Sequence, residues 1–214
     1  MRVLLVGGSG MIGQGVLLEC LKRAEVSKVI SVGRSALPQT DPKLEQLIKK
    51  DLYDWTDVAD RLRDVDAVLF CLGVSSGGMS EADYTKVTYE LTMSLARVLP
   101  KSVVFCFISG ASTDANSKAM WARVKGRTEN ELLAFGFRGA YCFRPGFIEP
   151  MDGIESKTGS YRVLYKIMWP FFPLFRPFKG VATSTRQLGH AMVEVALKGS
   201  EKKIFESRDI NAIA

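Results

Sequence analysis

The chain has 214 residues, 47% of them hydrophobic and 24% charged, with a formal net charge of +6. That length suits one large core, so a single domain is expected over residues 1–214, and the composition excludes a chain disordered throughout. The excess cation is scattered, densest at Lys49-Lys50 and Lys202-Lys203, and comes with no nucleic-acid-binding motif, so no nucleic-acid partner is expected.

Strand and helix signals alternate from the start. Arg2–Val6 (RVLLV) is a short continuous apolar run followed by glycines, the pattern of a central parallel strand. Met11–Arg23 places Ile12, Val16, Leu17, Cys20 and Leu21 on one helical face. Lys28–Val32 is a β-branched run closed by Gly33, and Leu47–Lys50 is expected as a short third strand, followed by an amphipathic stretch at Thr56–Arg63. Ala67–Cys71 reads as the fourth strand, with a loop over Gly73 and Ser75–Ser80. A helix from about Glu81 to Leu99 is stopped by Pro100. Val103–Ser109 is the fifth strand, Ser117–Phe135 a helix, and Ala140–Arg144 a sixth strand stopped by Pro145. The order is βαβαβ twice over, which predicts an α/β, doubly wound parallel sheet with helices on both faces. After Pro145 the rhythm breaks. The core is expected over about residues 1–150, with a small substrate-side cap and a closing helix at Ser184–Lys198 over about 151–214.

The four cysteines, Cys20, Cys71, Cys106 and Cys142, each sit in an apolar run without metal-ligand spacing, so they read as small buried hydrophobes and no metal site is expected. Arg2 leads directly into a strand and glycines with no cleavage site, which argues against a secretory leader and makes the cytoplasm the expected compartment.

Gly7-Gly8-Ser9-Gly10-Met11-Ile12-Gly13 fits G-x-G-x-x-G from Gly8 and G-x-x-G-x-x-G from Gly7. It follows an apolar strand and opens an amphipathic helix, the context in which such glycines hold a dinucleotide. Small residues permit the tight turn and let the backbone reach a pyrophosphate, whose charge the helix N-terminus complements. Ser9 adds a hydroxyl donor. The second strand ends in Gly33-Arg34-Ser35, where NAD-preferring folds commonly place an acid for the ribose 2′-hydroxyl. Arg34 instead offers a planar fork to a 2′-phosphate and Ser35 a further bond, which favours NADP over NAD. The alternative for Arg34 is a solvated loop residue.

The glycine turn, Cys71-Leu72-Gly73, the strand ending in Ser109, Val124-Lys125-Gly126 and Phe143-Arg144-Pro145-Gly146 stand in the order of the atypical short-chain dehydrogenase/reductase family. The chain resembles that family from Val3 to about Leu197, most of all the Tat-interacting-protein-type oxidoreductases and the epimerase/dehydratase-like proteins with their NAD(P)-binding Rossmann fold. The resemblance implies that Gly7, Gly10, Ile12 and Gly13, with Ser9 and Met11 in the same turn, hold the pyrophosphate. It implies Arg34 and Ser35 at the adenosine 2′-phosphate, Asp51 and Leu52 beside adenine, and Cys71, Leu72 and Gly73 along the ribose. Ser109 and Lys125 would be the catalytic pair, Lys125 also binding ribose, and Pro145, Gly146, Phe147 and Ile148 would close over the nicotinamide.

In that family a Tyr-x-x-x-Lys pair moves the proton, the lysine lowering the tyrosine's pKa. Here the stretch reads Trp121-Ala122-Arg123-Val124-Lys125, and an indole N–H cannot serve as the acid. Three readings stay open. Lys125 binds ribose without the usual proton transfer; Tyr84, Tyr89, Ser109 or a water on Lys125 supplies the proton; or Trp121 stacks on a ligand in a protein that only binds. The expected function is an NADP-binding oxidoreductase acting on a small apolar carbonyl or hydroxyl compound. Its alternative is a non-catalytic NADP(H) sensor or regulatory protein. Tyr161–Phe178, rich in aromatics and prolines and interrupted by cations, is too broken to span a membrane. Core packing, an aromatic lid, and a peripheral membrane or protein contact all fit it. His190, the sole histidine, is expected to pack or face solvent on the final helix.

Overall fold

The computed structural model describes residues 1–154 and 180–213. Seven parallel strands form one sheet: β1 (Arg2–Val6), β2 (Lys28–Gly33), β3 (Leu44–Ile48), β4 (Ala67–Phe70), β5 (Val104–Ile108), β6 (Gly139–Arg144) and β9 (Ile204–Glu206), in the spatial order β3-β2-β1-β4-β5-β6-β9. A two-stranded parallel ribbon, β7 (Phe147–Glu149) with β8 (Ala182–Ser184), stands apart from it. The strand order reverses between β1 and β4, and that switch point opens a crevice at the carboxyl ends of the strands.

The apolar runs fill both faces because a parallel sheet is covered on both sides. Val3 and Leu5 point into one core with Leu69, Cys106 and Phe143, covered by α1 (Met11–Lys22) and α6 (Thr185–Lys198). Leu4 and Val6 point into the other with Phe70, Phe105 and Phe107. That second core is covered by α2 (Ala59–Leu62), α3 (Glu81–Thr85), α4 (Leu91–Val98) and α5 (Met120–Ala134). α1 and α6 approach with almost no room between them: a Cβ on Gly15 would lie 2.7 Å from the Thr185 carbonyl oxygen, and one on Gly189 would lie 2.9 Å from that of Gly15. His190 is partly buried on α6 beside the Arg23 guanidinium, 3.4 Å away.

Several boundaries differ from those expected. The third strand runs Leu44–Ile48 rather than Leu47–Lys50, because its inner edge is held by Gln46, whose Oε1 accepts from Leu37 N at 2.7 Å. The helix expected over Glu81–Leu99 does not run as one regular piece. A π-turn at Lys86–Glu90 joins α3 to α4, and the Lys86 carbonyl accepts from the Tyr53 hydroxyl at 3.2 Å. α5 starts at Met120, not Ser117, because the Asp114 and Ser117 side chains turn the chain by accepting from Asn116 N and Ala119 N. The closing helix lies where expected, with Ser184 as N-cap accepting from Gln187 N. β7, β8, β9 and α7 (Ser207–Ile213) carry no periodicity long enough to read, and β9 extends the sheet past residue 150. All four cysteines are free and buried. The Tyr161–Phe178 segment lies outside the described residues. Among the described residues no helix is long and apolar enough to cross a membrane.

Candidate dinucleotide site

The turn from β1 to α1 is built on close backbone approach. Gly7 has φ +85°, and a Cβ there would stand 2.6 Å from Leu72 N. A Cβ on Gly13 would meet the Gly7 carbonyl oxygen at 2.1 Å, while Gly10 donates to that same oxygen at 3.0 Å. α1 therefore leaves β1 abruptly, and its N-cap Gly10 has no side chain to satisfy the first-turn N–H groups of Met11, Ile12 and Gly13. These donors carry the positive end of the helix dipole. Ser9 is partly buried, and its carbonyl accepts from Gln14 Nε2 at 3.3 Å.

Arg34 and Ser35, just past β2, are exposed, and Arg34 has no hydrogen bond or ion pair among the described residues. Past β3, Lys49 is buried and reaches Asp57 at 2.5 Å, while its N–H prolongs the ladder by donating to the Gly33 carbonyl at 2.9 Å. Asp51 is exposed and accepts from Tyr53 N at 2.8 Å; Leu52 is buried beneath it. Past β4, Cys71 N donates to the Val6 carbonyl at 2.8 Å, and burial holds its thiol well above the usual range. The Cys71 thiol is thus a packing group facing the first core. Leu72 is partly buried and Gly73 exposed, with open space around its Cα.

The far end of the crevice gathers around Ser109. Thr113 Oγ1 donates to the Gly110 carbonyl at 2.8 Å, so the 3.0 Å contact between Ser109 and Thr113 is donated by Ser109. Lys125 Nζ donates to the Ile108 and Ser109 carbonyls at 3.2 and 3.1 Å. Ala111 N donates to the Pro145 carbonyl at 3.1 Å, which brings the segment after β6 onto the segment after β5. Gly146 N donates to Ser207 Oγ at 2.8 Å, Ile148 is buried, and Phe147 is half-exposed. Ser109, Lys125 and Pro145-Gly146 thus meet at one place, while Arg34, Ser35 and Asp51 stand at the opposite end of the crevice.

Trp121 occupies the position of the missing tyrosine, partly buried, its ring 3.7 Å from where a Gly110 Cβ would lie. Tyr84 is buried in the second core, and the Tyr89 hydroxyl donates to Glu131 with the Arg127 guanidinium 3.9 Å over the ring. Leu72, Met79, Met120 and Trp121 lie partly buried along the rim of that same core.

One group here escaped the sequence reading. Glu129 is buried, and Arg144 grips it with Nε to Oε1 at 2.9 Å and Nη2 to Oε2 at 2.5 Å, its Nη1 reaching Glu206 at 3.3 Å. The pair raises the Arg144 guanidinium further above its usual value. The available signal was spacing, since Glu129 lies one helical turn after Lys125. Burial lowers the Lys125 amine to about 8, with Glu129 and then Cys142 pulling it back up.

That depression has a sign in stability. The unfolded chain holds the Lys125 proton up to about pH 10.5 and the folded one only to about 8, so folding is favoured increasingly across that window. Below pH 8 the penalty of the buried charge is fully present. The native protein is therefore expected to gain stability relative to Lys125→Met between pH 8 and pH 10. Paired urea unfolding curves at the two pH values check this, and a difference independent of pH would refute it.

Among the described residues no group of three or more His, Cys, Asp or Glu is placed to hold a metal ion. The NAD dependent epimerase/dehydratase family model matches residues 3–129. The chain is 23% identical over 223 residues to "Protein FMP52-1, mitochondrial" of Scheffersomyces stipitis, covering 100% of this chain and 98% of that one. It is 25% identical over 184 residues to "Protein FMP52, mitochondrial" of Meyerozyma guilliermondii, covering 82% and 79%. These names overturn the expectation of a cytoplasmic protein, which rested only on the missing secretory cleavage site, and that excludes one leader type without fixing a compartment. Among solved structures, MoeE5 in complex with UDP-glucose and NAD superposes with a TM-score of 0.71 at 16% identity, covering 96% of this chain and 75% of that one. UDP-glucuronic acid 4-epimerase from Bacillus cereus in complex with NAD gives 0.69 at 16%, with the same coverage. At that identity the likeness establishes the fold, and the cofactor named in both is NAD, not NADP. With more than half of its length matched and the glycine turn, switch point and lysine in place, the chain belongs to the NAD dependent epimerase/dehydratase family.

Proposed function

We propose that the protein binds NADP(H) across the carboxyl ends of the strands and acts as an oxidoreductase on a small apolar carbonyl or hydroxyl compound. The observation that carries this reading is the uncapped first turn of α1 above Gly7 and Gly10, on the same edge of the sheet as Lys125. The residues fit such a group. The N–H groups of Met11, Ile12 and Gly13 suit a pyrophosphate, Arg34 and Ser35 a 2′-phosphate, Asp51 and Leu52 an adenine, and Lys125 a ribose. Cys71, Leu72 and Gly73 flank its middle, with Pro145, Gly146, Phe147 and Ile148 beyond. When bound, the nicotinamide gives or takes the hydride.

The chain's own residues must manage the proton. Trp121 does not titrate, the Ser109 proton goes to Thr113, and the Tyr89 hydroxyl is engaged by Glu131. Lys125, lowered to about 8, is left to exchange a proton at Nζ, directly or through a water. Leu72, Met79, Met120 and Trp121 give the compound an apolar wall.

Titration with NADPH is expected to quench intrinsic fluorescence, less so in Trp121→Phe. A panel of apolar aldehydes and ketones should then oxidise NADPH, with Lys125→Ala slower by about 10²-fold or more. If neither NADPH nor NADH binds, the proposal fails. Trp121 at the tyrosine position favours one second reading, a cofactor-binding sensor without turnover. Saturable NADPH binding with no oxidation of any carbonyl, and Lys125→Ala altering affinity alone, would establish it.

A further inference from the structure

Three cations leave the carboxyl ends of β2 and β3 at the adenine end of the crevice: Arg34, Lys49 and Lys50. One of them is committed: Lys49 is buried against Asp57 at 2.5 Å. Arg34 and Lys50 are exposed, and neither has a hydrogen bond or ion pair among the described residues.

Backbone register brings these two together. Gly33 is the register partner of Ile48, and Lys49 N donates to the Gly33 carbonyl at 2.9 Å, so β2 and β3 stay paired to the point where both cations emerge. Arg34 follows Gly33 directly and Lys50 follows Lys49 directly. The carboxylate nearest in sequence, Asp51, turns back to accept from Tyr53 N at 2.8 Å. Two adjacent cations without a counter-charge repel each other, and a dianion between them relieves the repulsion.

We infer that Lys50 is a second cation of the 2′-phosphate subsite opened by Arg34, and so a determinant of NADP over NAD. This rests on the NADP reading above and adds a residue that neither the glycine turn nor the β2 end reveals. Arg34 supplies a planar fork and Lys50 a point charge from the neighbouring strand, so the phosphate is held from two sides. The contact is electrostatic and solvent-exposed, and its strength falls as salt is raised.

The test is fluorescence titration of the full chain with NADPH, NADH and 2′,5′-ADP at low and high salt, for the native protein, Lys50→Ala, Lys50→Arg and Arg34→Ala. Lys50→Ala is expected to weaken NADPH and 2′,5′-ADP about tenfold, leave NADH unchanged and reduce the salt dependence, with Lys50→Arg close to native. Lys50 is exposed, so the variants fold, and far-ultraviolet circular dichroism verifies it. A native preference for NADPH that survives Lys50→Ala but is lost in Arg34→Ala overturns the role of Lys50 alone. Equal binding of NADPH and NADH by the native protein overturns the NADP reading, and the inference goes with it.

Discussion

Gly126→Ala is expected to lose about 3 kcal/mol of unfolding free energy and to weaken cofactor binding with it. The added Cβ would lie 2.3 Å from Ala115 N, 2.6 Å from the Asp114 carbonyl carbon and 2.7 Å from Ala115 Cα. Those are backbone atoms, so no side chain can rotate out of the way. Either α5 retreats from the 114–115 loop or the loop moves, and both are tied down. Arg123 Nη1 donates to the Ser117 carbonyl at 2.8 Å, and the same guanidinium grips Glu81 at the start of α3. Lys125 is the residue before Gly126 on the same helix, so a retreat of α5 also draws Nζ from the Ile108 and Ser109 carbonyls. Urea denaturation against Gly77→Ala is the measurement. Gly77 is exposed, and its nearest neighbour is a serine hydroxyl at an ordinary 3.5 Å. A loss in Gly126→Ala no larger than in that control would refute the packing argument.

Arg144→Ala carries the second large effect, about 3–5 kcal/mol of destabilisation. The guanidinium is only partly exposed, but its partner Glu129 has 1% of its surface exposed, and removing Arg144 leaves a buried carboxylate without its bidentate donor. Adding Glu129→Gln in that background keeps the volume and removes the charge, so it should recover a large part of the loss. With Arg144 gone, the Glu129 charge acts on Lys125 one turn away, and the Lys125 amine should rise above its native value of about 8. Failure of Glu129→Gln to rescue would locate the loss in the Glu206 contact or in the arginine's packing instead.

The parts legible in the sequence are those with a strong local cause. Arg2–Val6 and Ala67–Phe70 are continuous apolar runs, and a strand covered on both faces needs nothing else. The glycine turn was readable because Gly7 and Gly13 answer backbone approaches that a side chain would block. β3 was misplaced by three residues because Gln46, a polar residue in its middle, is anchored by a loop nine residues away, and no local pattern carries that bond. The π-turn, β7, β8 and β9 were illegible for the same reason. A three-residue strand such as Ile204–Glu206 exists because β6 is already there to pair with. In the candidate site, Lys125 and Ser109 stand out by spacing, whereas the Glu129–Arg144 pair depends on β6 and α5 meeting in space. Arg34 was readable as a cation after β2. Lys50 was not, since its meaning comes from register with the neighbouring strand and from the engagement of Lys49 elsewhere.

The tight seat of α1 on α6 bears on how the chain comes to be made. Gly15 and Gly189 touch at backbone distance, and Arg23 at the end of α1 is bound to His190 and Glu194 on α6, the histidine 167 positions further on. Within this chain, α1 is therefore sealed only by a helix made about as many residues later as separate Arg23 from His190, 167 positions. At about 5–20 residues per second the apolar flank of α1 stays open to other chains for roughly 10–35 s. The glycine turn sits at the head of that same helix, and its geometry leans on Leu72 and on α1 being pressed to the sheet. A nascent chain halted before residue 185 should thus be sticky, susceptible to protease near residue 15 and blind to nucleotide, all three faults ending together when α6 docks.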